Sequence, residues 1–126
     1  MNVVDSSAWL EYFGNGENAS DFAAAIEAPE TLAVPSLTIH EVFKRVCQIK
    51  DETAAFDALA VMLQGRVLDL TASLALEAAR LSLATGLAMA DSIILAAAQA
   101  EGATLWTQDA HFAGRPGVEY RAKAGR

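Results

Sequence analysis

Asp5, Glu41, Asp91 and Asp109 are four acids whose surroundings place each at the end of an apolar strand or in the opening turns of a helix. Carboxylates gathered in one place repel one another and raise each other's pKa values. A hard divalent cation with oxygen ligands removes that cost. Such an ion, here Mg²⁺ or Mn²⁺, also activates a water and offsets the charge that builds on a phosphate during displacement. The residue types therefore point to metal-assisted phosphodiester hydrolysis. Rival nucleophile chemistries lack their partners. The single cysteine, Cys47, falls in the middle of an expected helix. Neither His40 nor His111 has a Ser-His-Asp or Cys-His pattern around it, and both read as partly exposed polar residues.

The elements that must position these acids follow from the spacing of apolar residues and helix stops. Asn2–Asp5 reads as a first strand. Ser6 or Ser7 can cap a helix that runs to about Phe13 and stops at Gly14 and Gly16. Glu17 to Glu27 reads as a second helix, closed by Pro29, and Leu32–Val34 as a second strand. Pro35-Ser36 opens a helix reaching about Lys50, with Ser36 as its cap, and Asp51 caps the next, which ends at Gly65. Val67–Leu70 is a third strand, and Thr71 or Ser73 starts a helix ending at Gly86. Met89 to Glu101 is a last helix, Ala103–Thr107 a fourth strand and Val118–Arg121 a short fifth. Strands separated by pairs of helices predict an α/β fold: a three-layer α/β/α sandwich around a parallel sheet of four to five strands. Its 126 residues fit a single domain, with a basic tail over 122–126 expected to be disordered.

In a parallel sheet the ends of strands one and four and the start of the helix after strand two share the carboxyl edge, where open α/β folds bind ligands. Asp5, Glu41 and Asp109 occupy those places. The helix carrying Asp91 precedes strand four, so it must run from the carboxyl edge to the amino edge and begin beside the other acids. The helix before it must then run across the sheet. Taken singly, each acid has a plainer reading. Asp5 suits a turn or a helix cap, Asp109 a turn, Asp91 a helix cap or first turn, and Glu41 an ion pair with Lys44 or Arg45 at helical spacing. Their shared edge is what favours a site. Ser7 is placed to hydrogen-bond a carboxylate or to cap its helix, and Thr107 to support the site from a strand end. Trp9, Phe13, Phe43, Phe56, Trp106 and Phe112 read as core or interface residues.

These residues resemble the PIN-domain proteins, most closely the VapC-type toxins of toxin–antitoxin pairs. VVDSSAWLEYF is similar to the family's opening motif, with Asp5 as its acid and Ser7 two places on. VPSLTIHEVFK is similar to the second, with Glu41. GLAMADSIILAAAQAEGATLWTQDAHF is similar to the third and fourth, with Asp91, Thr107, Asp109 and Phe112. At residue 111, where the family often has an acid, stands His111, so a fifth ligand is not expected there. The resemblance implies Mg²⁺- or Mn²⁺-dependent cleavage of RNA, with Asp5, Glu41, Asp91 and Asp109 as metal ligands and Ser7 and Thr107 orienting them. It also implies a homodimer inhibited by a small antitoxin.

The whole-chain composition bounds these readings. The formal net charge is −7, which argues against simple duplex binding and is less awkward for a protein that holds cations. The basic residues cluster at Lys44, Arg45 and Lys50 and at Arg115, Arg121, Lys123 and Arg126. No apolar run has the roughly 20 residues of a membrane span, and no signal peptide is read at the N-terminus. A cytoplasmic protein is expected. Two other readings stay open at this point: an RNA-processing nuclease with no toxin role, and an interaction module with a vestigial acidic pocket. A phosphoryl-acceptor domain would need a lysine at a strand end, and none is placed there.

Overall fold

The computed structural model describes residues 1–124, so the expected 122–126 tail lies partly outside the described residues. The strands are β1 (Asn2–Val4), β2 (Leu32–Pro35), β3 (Arg66–Leu68), β4 (Thr104–Thr107) and β5 (Val118–Tyr120). The helices are α1 (Ser6–Phe13), α2 (Ala19–Ile26), α3 (Ser36–Ile49), α4 (Glu52–Met62), α5 (Ala72–Thr85) and α6 (Met89–Ala100). Short 3-10 turns cover Pro29–Thr31 and Ala110–Phe112. The sheet has the order β3-β2-β1-β4-β5, and all four pairings are parallel.

This order follows from the handedness of crossovers. The connections from β1 to β2 and from β2 to β3 step in one direction along the sheet, so right-handed crossovers put α1 to α4 on one face. The step from β3 to β4 returns past β1, which puts α5 and α6 on the other. Side-chain alternation in the strands feeds both layers. Val4, Leu32, Val34 and Trp106 pack with Trp9, Phe22, Val42, Ala58 and Met62. Their neighbours Val3, Ala33 and Leu105 point the opposite way, against Ile94, Leu95, Ala98 and Phe112. The three-layer sandwich is thus a direct product of period-2 strands between two helical faces.

The Ala-rich α6 has seven buried residues from Ser92 to Ala98, because it fills the groove over the sheet centre and also carries α5. The chain bends by 114° between α5 and α6, so α5 crosses obliquely and does not fold back flat along α6. That geometry is what lets α6 begin at the carboxyl edge. Among the described residues, no single helix is long and apolar enough to cross a membrane.

Some local expectations give way to better partners. The cap of α1 is Asp5, not Ser6 or Ser7: its backbone is extended and its carboxylate accepts from the Ala8 amide at 3.0 Å. Pro35 and not Ser36 precedes the first turn of α3, and no side chain caps that helix. Asp51 and Thr71 do cap α4 and α5. Phe56, expected in the core or at an interface, lies outside the core at 54% exposure, with its ring edge-on against Phe43 on the outer side of the α3–α4 pair. Cys47 is half-buried at the rim of the first core layer.

Gly65 leads into β3 where the backbone runs tightly under β2. A Cβ there would lie 2.9 Å from the Leu32 carbonyl oxygen and 2.9 Å from Val34 Cγ2. Backbone cannot yield as a flexible side chain does. Gly65→Ala is therefore expected to cost about 1–3 kcal/mol in a denaturant titration; an unchanged midpoint would show that β3 can shift away from β2 without loss.

Candidate metal centre

The centre lies at the carboxyl edge between β1 and β4, the two adjacent strands whose connections leave in opposite directions. This switch point opens a crevice in a doubly wound sheet. Asp5 follows β1 directly, and Asp109 comes two residues after β4. Glu41 is in the second turn of α3, and Asp91 is the third residue of α6. The sheet and the start of α6 bring all four acids to this edge. Their charges sense one another: Asp109 raises the pKa of both Asp5 and Asp91, and Glu41 also raises that of Asp91.

Asp5 is the most enclosed of them, 3% exposed. Its Oδ1 accepts from Ser7 Oγ at 2.7 Å and from the Ala8 amide at 3.0 Å, and its Oδ2 accepts from Thr107 Oγ1 at 2.6 Å. Its own amide donates to the Trp106 carbonyl at 3.1 Å. Thr107 Oγ1 in turn accepts from the Asp109 amide at 2.9 Å, and Ser7 Oγ accepts from the Gln108 amide at 3.2 Å. The two hydroxyls thereby lock the end of β1 to the end of β4. Burial pushes the Asp5 carboxyl up to about 6, against the pull of those three donors and with a further push from Asp109.

Asp91 is partly enclosed, and its pKa is raised first by burial and then by Asp109 and Glu41, with His111 opposing. Asp109 Oδ1 caps the 3-10 turn by accepting from the His111 amide at 2.9 Å. Glu41 Oε1 accepts from Ser6 Oγ at 2.5 Å, a contact across 35 residues that no local spacing announces. His111 is the larger surprise. Its ring is 74% exposed, yet Nδ1 lies 3.3 Å from Asp109 Oδ1 and 3.6 Å from Asp91 Oδ2. Asp91, Asp109 and His111 each offer a donor atom, all within 4.8 Å of one another. Asp5 and Glu41 do not join that tight set. Two carboxylates and an imidazole suit a divalent ion, and raised acid pKa values mark carboxylates that lack a counter-charge. A cleft of about 310 Å³, lined by Gly86, Asp91, His111 and Arg115 among others, opens beside the set.

The Asp5 shift has a sign that can be measured. Its folded-state value of about 6 lies above the ordinary 3.8. The stabilisation this implies is full below about pH 4 and lost as pH rises through about 6. Two pKa units correspond to about 3 kcal/mol. With EDTA present, wild type should therefore lose about 2 kcal/mol more stability between pH 4 and pH 7.5 than Asp5→Asn, whose amide still accepts from Ala8. Parallel pH profiles for the two proteins would mean that Asp5 is not held against its ionisation.

The PIN domain family matches residues 3–117 of the chain. No match is found among curated proteins. Several solved structures share the whole fold. A toxin–antitoxin complex from Klebsiella pneumoniae is similar with a TM-score of 0.80 and 24% identity, over 98% of this chain and 99% of that one. VapC20 of Mycobacterium tuberculosis, described as a sarcin-ricin loop cleaving toxin, is similar with a TM-score of 0.76 and 20% identity, over 94% and 99%. A Pyrobaculum aerophilum protein has a TM-score of 0.75 and 25% identity, over 94% and 87%. The family match spans both core layers and all four acids, and the chain belongs to the PIN domain family.

Proposed function

We propose that the protein is a divalent-metal-dependent endoribonuclease and the toxin of a type II toxin–antitoxin pair. The observation that carries this reading is the meeting of Asp91 and Asp109 at the switch point of a PIN domain, with Asp5 and Glu41 at the same edge and coupled to them by charge. The donor set fits Mg²⁺ or Mn²⁺, which take carboxylate oxygens and keep open positions for water and phosphate. Such an ion, when bound, supplies Lewis-acid charge beside a phosphate and polarises and positions an attacking water.

The chain's own residues divide the remaining work. Asp91 and Asp109 hold the ion, and Asp5 and Glu41 complete its surroundings directly or through water. Ser7 and Thr107 fix both Asp5 oxygens, so this carboxylate meets its ligand in one orientation. Ser6 holds one oxygen of Glu41, Oε1, and leaves the other free. Preorientation of this kind spares the reorganisation a mobile carboxylate would need. Arg115 lines the adjoining cleft and offers a cation to an RNA phosphate. Arg121 is already engaged: it lies 3.6 Å from Asp21 and 3.2 Å from Glu119, and its guanidinium sits 5.5 Å from the Trp106 ring centre. A chain of charge −7 thus meets its substrate through a local cation and a bound metal, not through a broad basic face.

The toxin role rests on likeness. Relatives of the same fold include a Klebsiella toxin–antitoxin complex and a VapBC pair from Salmonella typhimurium bound to DNA. By analogy this chain is held inactive by a small cognate antitoxin, works in the cytoplasm and pairs with a second copy. The outer sides of α5 and of the start of α6, where Leu83 and Met89 are 89% and 74% exposed, supply apolar surface for such contacts.

The test is cleavage of a panel of labelled RNAs with Mg²⁺, with Mn²⁺ and with EDTA, by wild type and by Asp5→Asn/Asp91→Asn. Cleavage is expected only from wild type with metal. Cleavage that persists in EDTA or in the double variant would assign the activity to other residues or to a contaminant. A search beside the gene for a small antitoxin-like reading frame, followed by expression in cells with and without it, separates a toxin from a processing nuclease: growth arrest relieved by such a frame is expected of the toxin, and arrest-free expression with no such frame points to a processing nuclease.

A further inference from the structure

We propose that His111 is a nitrogen ligand of the metal site and biases it towards Mn²⁺ over Mg²⁺. This inference rests on the metal-dependent reading above and deepens it. An acid at this position would leave an all-oxygen site, whereas the imidazole makes it mixed.

The geometry is that of adjacent ligands. Donors at about 2.0–2.2 Å from an octahedral ion are about 2.8–3.1 Å apart when they occupy neighbouring positions. His111 Nδ1 lies 3.3 Å from Asp109 Oδ1 and 3.6 Å from Asp91 Oδ2, so a small rotation of the exposed ring and the two carboxylates closes the set around one ion. Both contacts are longer than the roughly 2.7–3.2 Å of a well-formed N–H···O bond, and the one nitrogen faces two carboxylates at once. Its placement is built into the backbone. The Asp109 carboxylate accepts from the His111 amide at 2.9 Å, and the Arg115 Nε donates to the His111 carbonyl at 3.2 Å. Phe112, fully buried in the next position, anchors the turn in the second core layer. Residue 111 is thereby fixed over Asp91 while its ring edge stays open to solvent.

The ligand chemistry gives the selectivity. Mg²⁺ favours carboxylate and water oxygens and gains little from imidazole; Mn²⁺ stands lowest in the first-row affinity order and also favours oxygen, yet as a transition ion it gains more from a nitrogen donor than Mg²⁺ does. Mn²⁺ accepts both donor types, is paramagnetic and can be read directly. The ion is held by Asp91 and Asp109 in either case, so loss of His111 should weaken Mn²⁺ binding selectively and leave the acids in place.

The experiment is calorimetric titration of wild type, His111→Ala, His40→Ala and Asp91→Asn with Mn²⁺ and with Mg²⁺, together with pulsed EPR of the Mn²⁺-loaded proteins. His40, the only other histidine, is exposed on α3 and serves as the control. Expected are an imidazole nitrogen coupling in wild type and His40→Ala, its loss in His111→Ala, and Mn²⁺ binding about tenfold weaker in His111→Ala with Mg²⁺ affinity changed less than about twofold. Wild-type binding of both ions without a nitrogen coupling, or equal loss for the two ions in His111→Ala, overturns the inference and leaves the acidic centre standing. Failure of wild type to bind either ion, or full binding by Asp91→Asn, overturns the metal reading itself.

Discussion

Asp5 does with one carboxylate what usually takes several side chains. It ends the central strand, caps the helix that follows and accepts hydroxyls from α1 and from β4. Each bond needs the oxygens held still and away from water, and burial opposes the charge that the same oxygens must carry to attract a cation. The resulting tension shapes the neighbourhood. Thr107 is fully buried because it must present its hydroxyl to Asp5 and its lone pair to the Asp109 amide at once. Removing the charge relieves the fold, and keeping it makes the edge a place where a cation is welcome.

The two-layer core serves that arrangement. β1 sits in the middle of the sheet and has no solvent-facing side, so whatever follows it is held by both helical layers. The obliquely crossing α5 delivers α6 to the correct edge, and the seven consecutive buried residues of α6 leave Asp91 little freedom of its own. Exactness in a site of this sort comes from packed elements more than from its loops.

Much of this was legible in the residues. The alternation of Val3 and Val4, or of Leu105 and Trp106, marks strands covered on both faces, and the order of apolar runs and helix stops leads to a parallel sheet. Placing Asp5, Glu41 and Asp109 at one edge needed only strand direction, and placing Asp91 there needed one topological step. What was hidden depends on contacts between distant positions or on side-chain direction. Ser6 meets Glu41 across 35 residues. Three adjacent residues, Asp5, Ser6 and Ser7, are all good helix caps, and only the extended backbone at Asp5 decides among them. His111 read as an unsupported polar residue because a histidine in a loop carries no periodic signal; the 3-10 turn that aims its ring is itself set by the Asp109 side chain.

The turn at Ala110–Phe112 differs from the rest of the acidic edge in one respect. Asp5 and Asp91 are embedded in a strand end and a helix, where a change of residue disturbs packing on all sides, while residue 111 projects from a short turn pinned beneath by Phe112. Its side chain can therefore be exchanged with little penalty to the fold. The donor atom offered at residue 111 is thus separable from the packing that holds Asp5 and Asp91 in place.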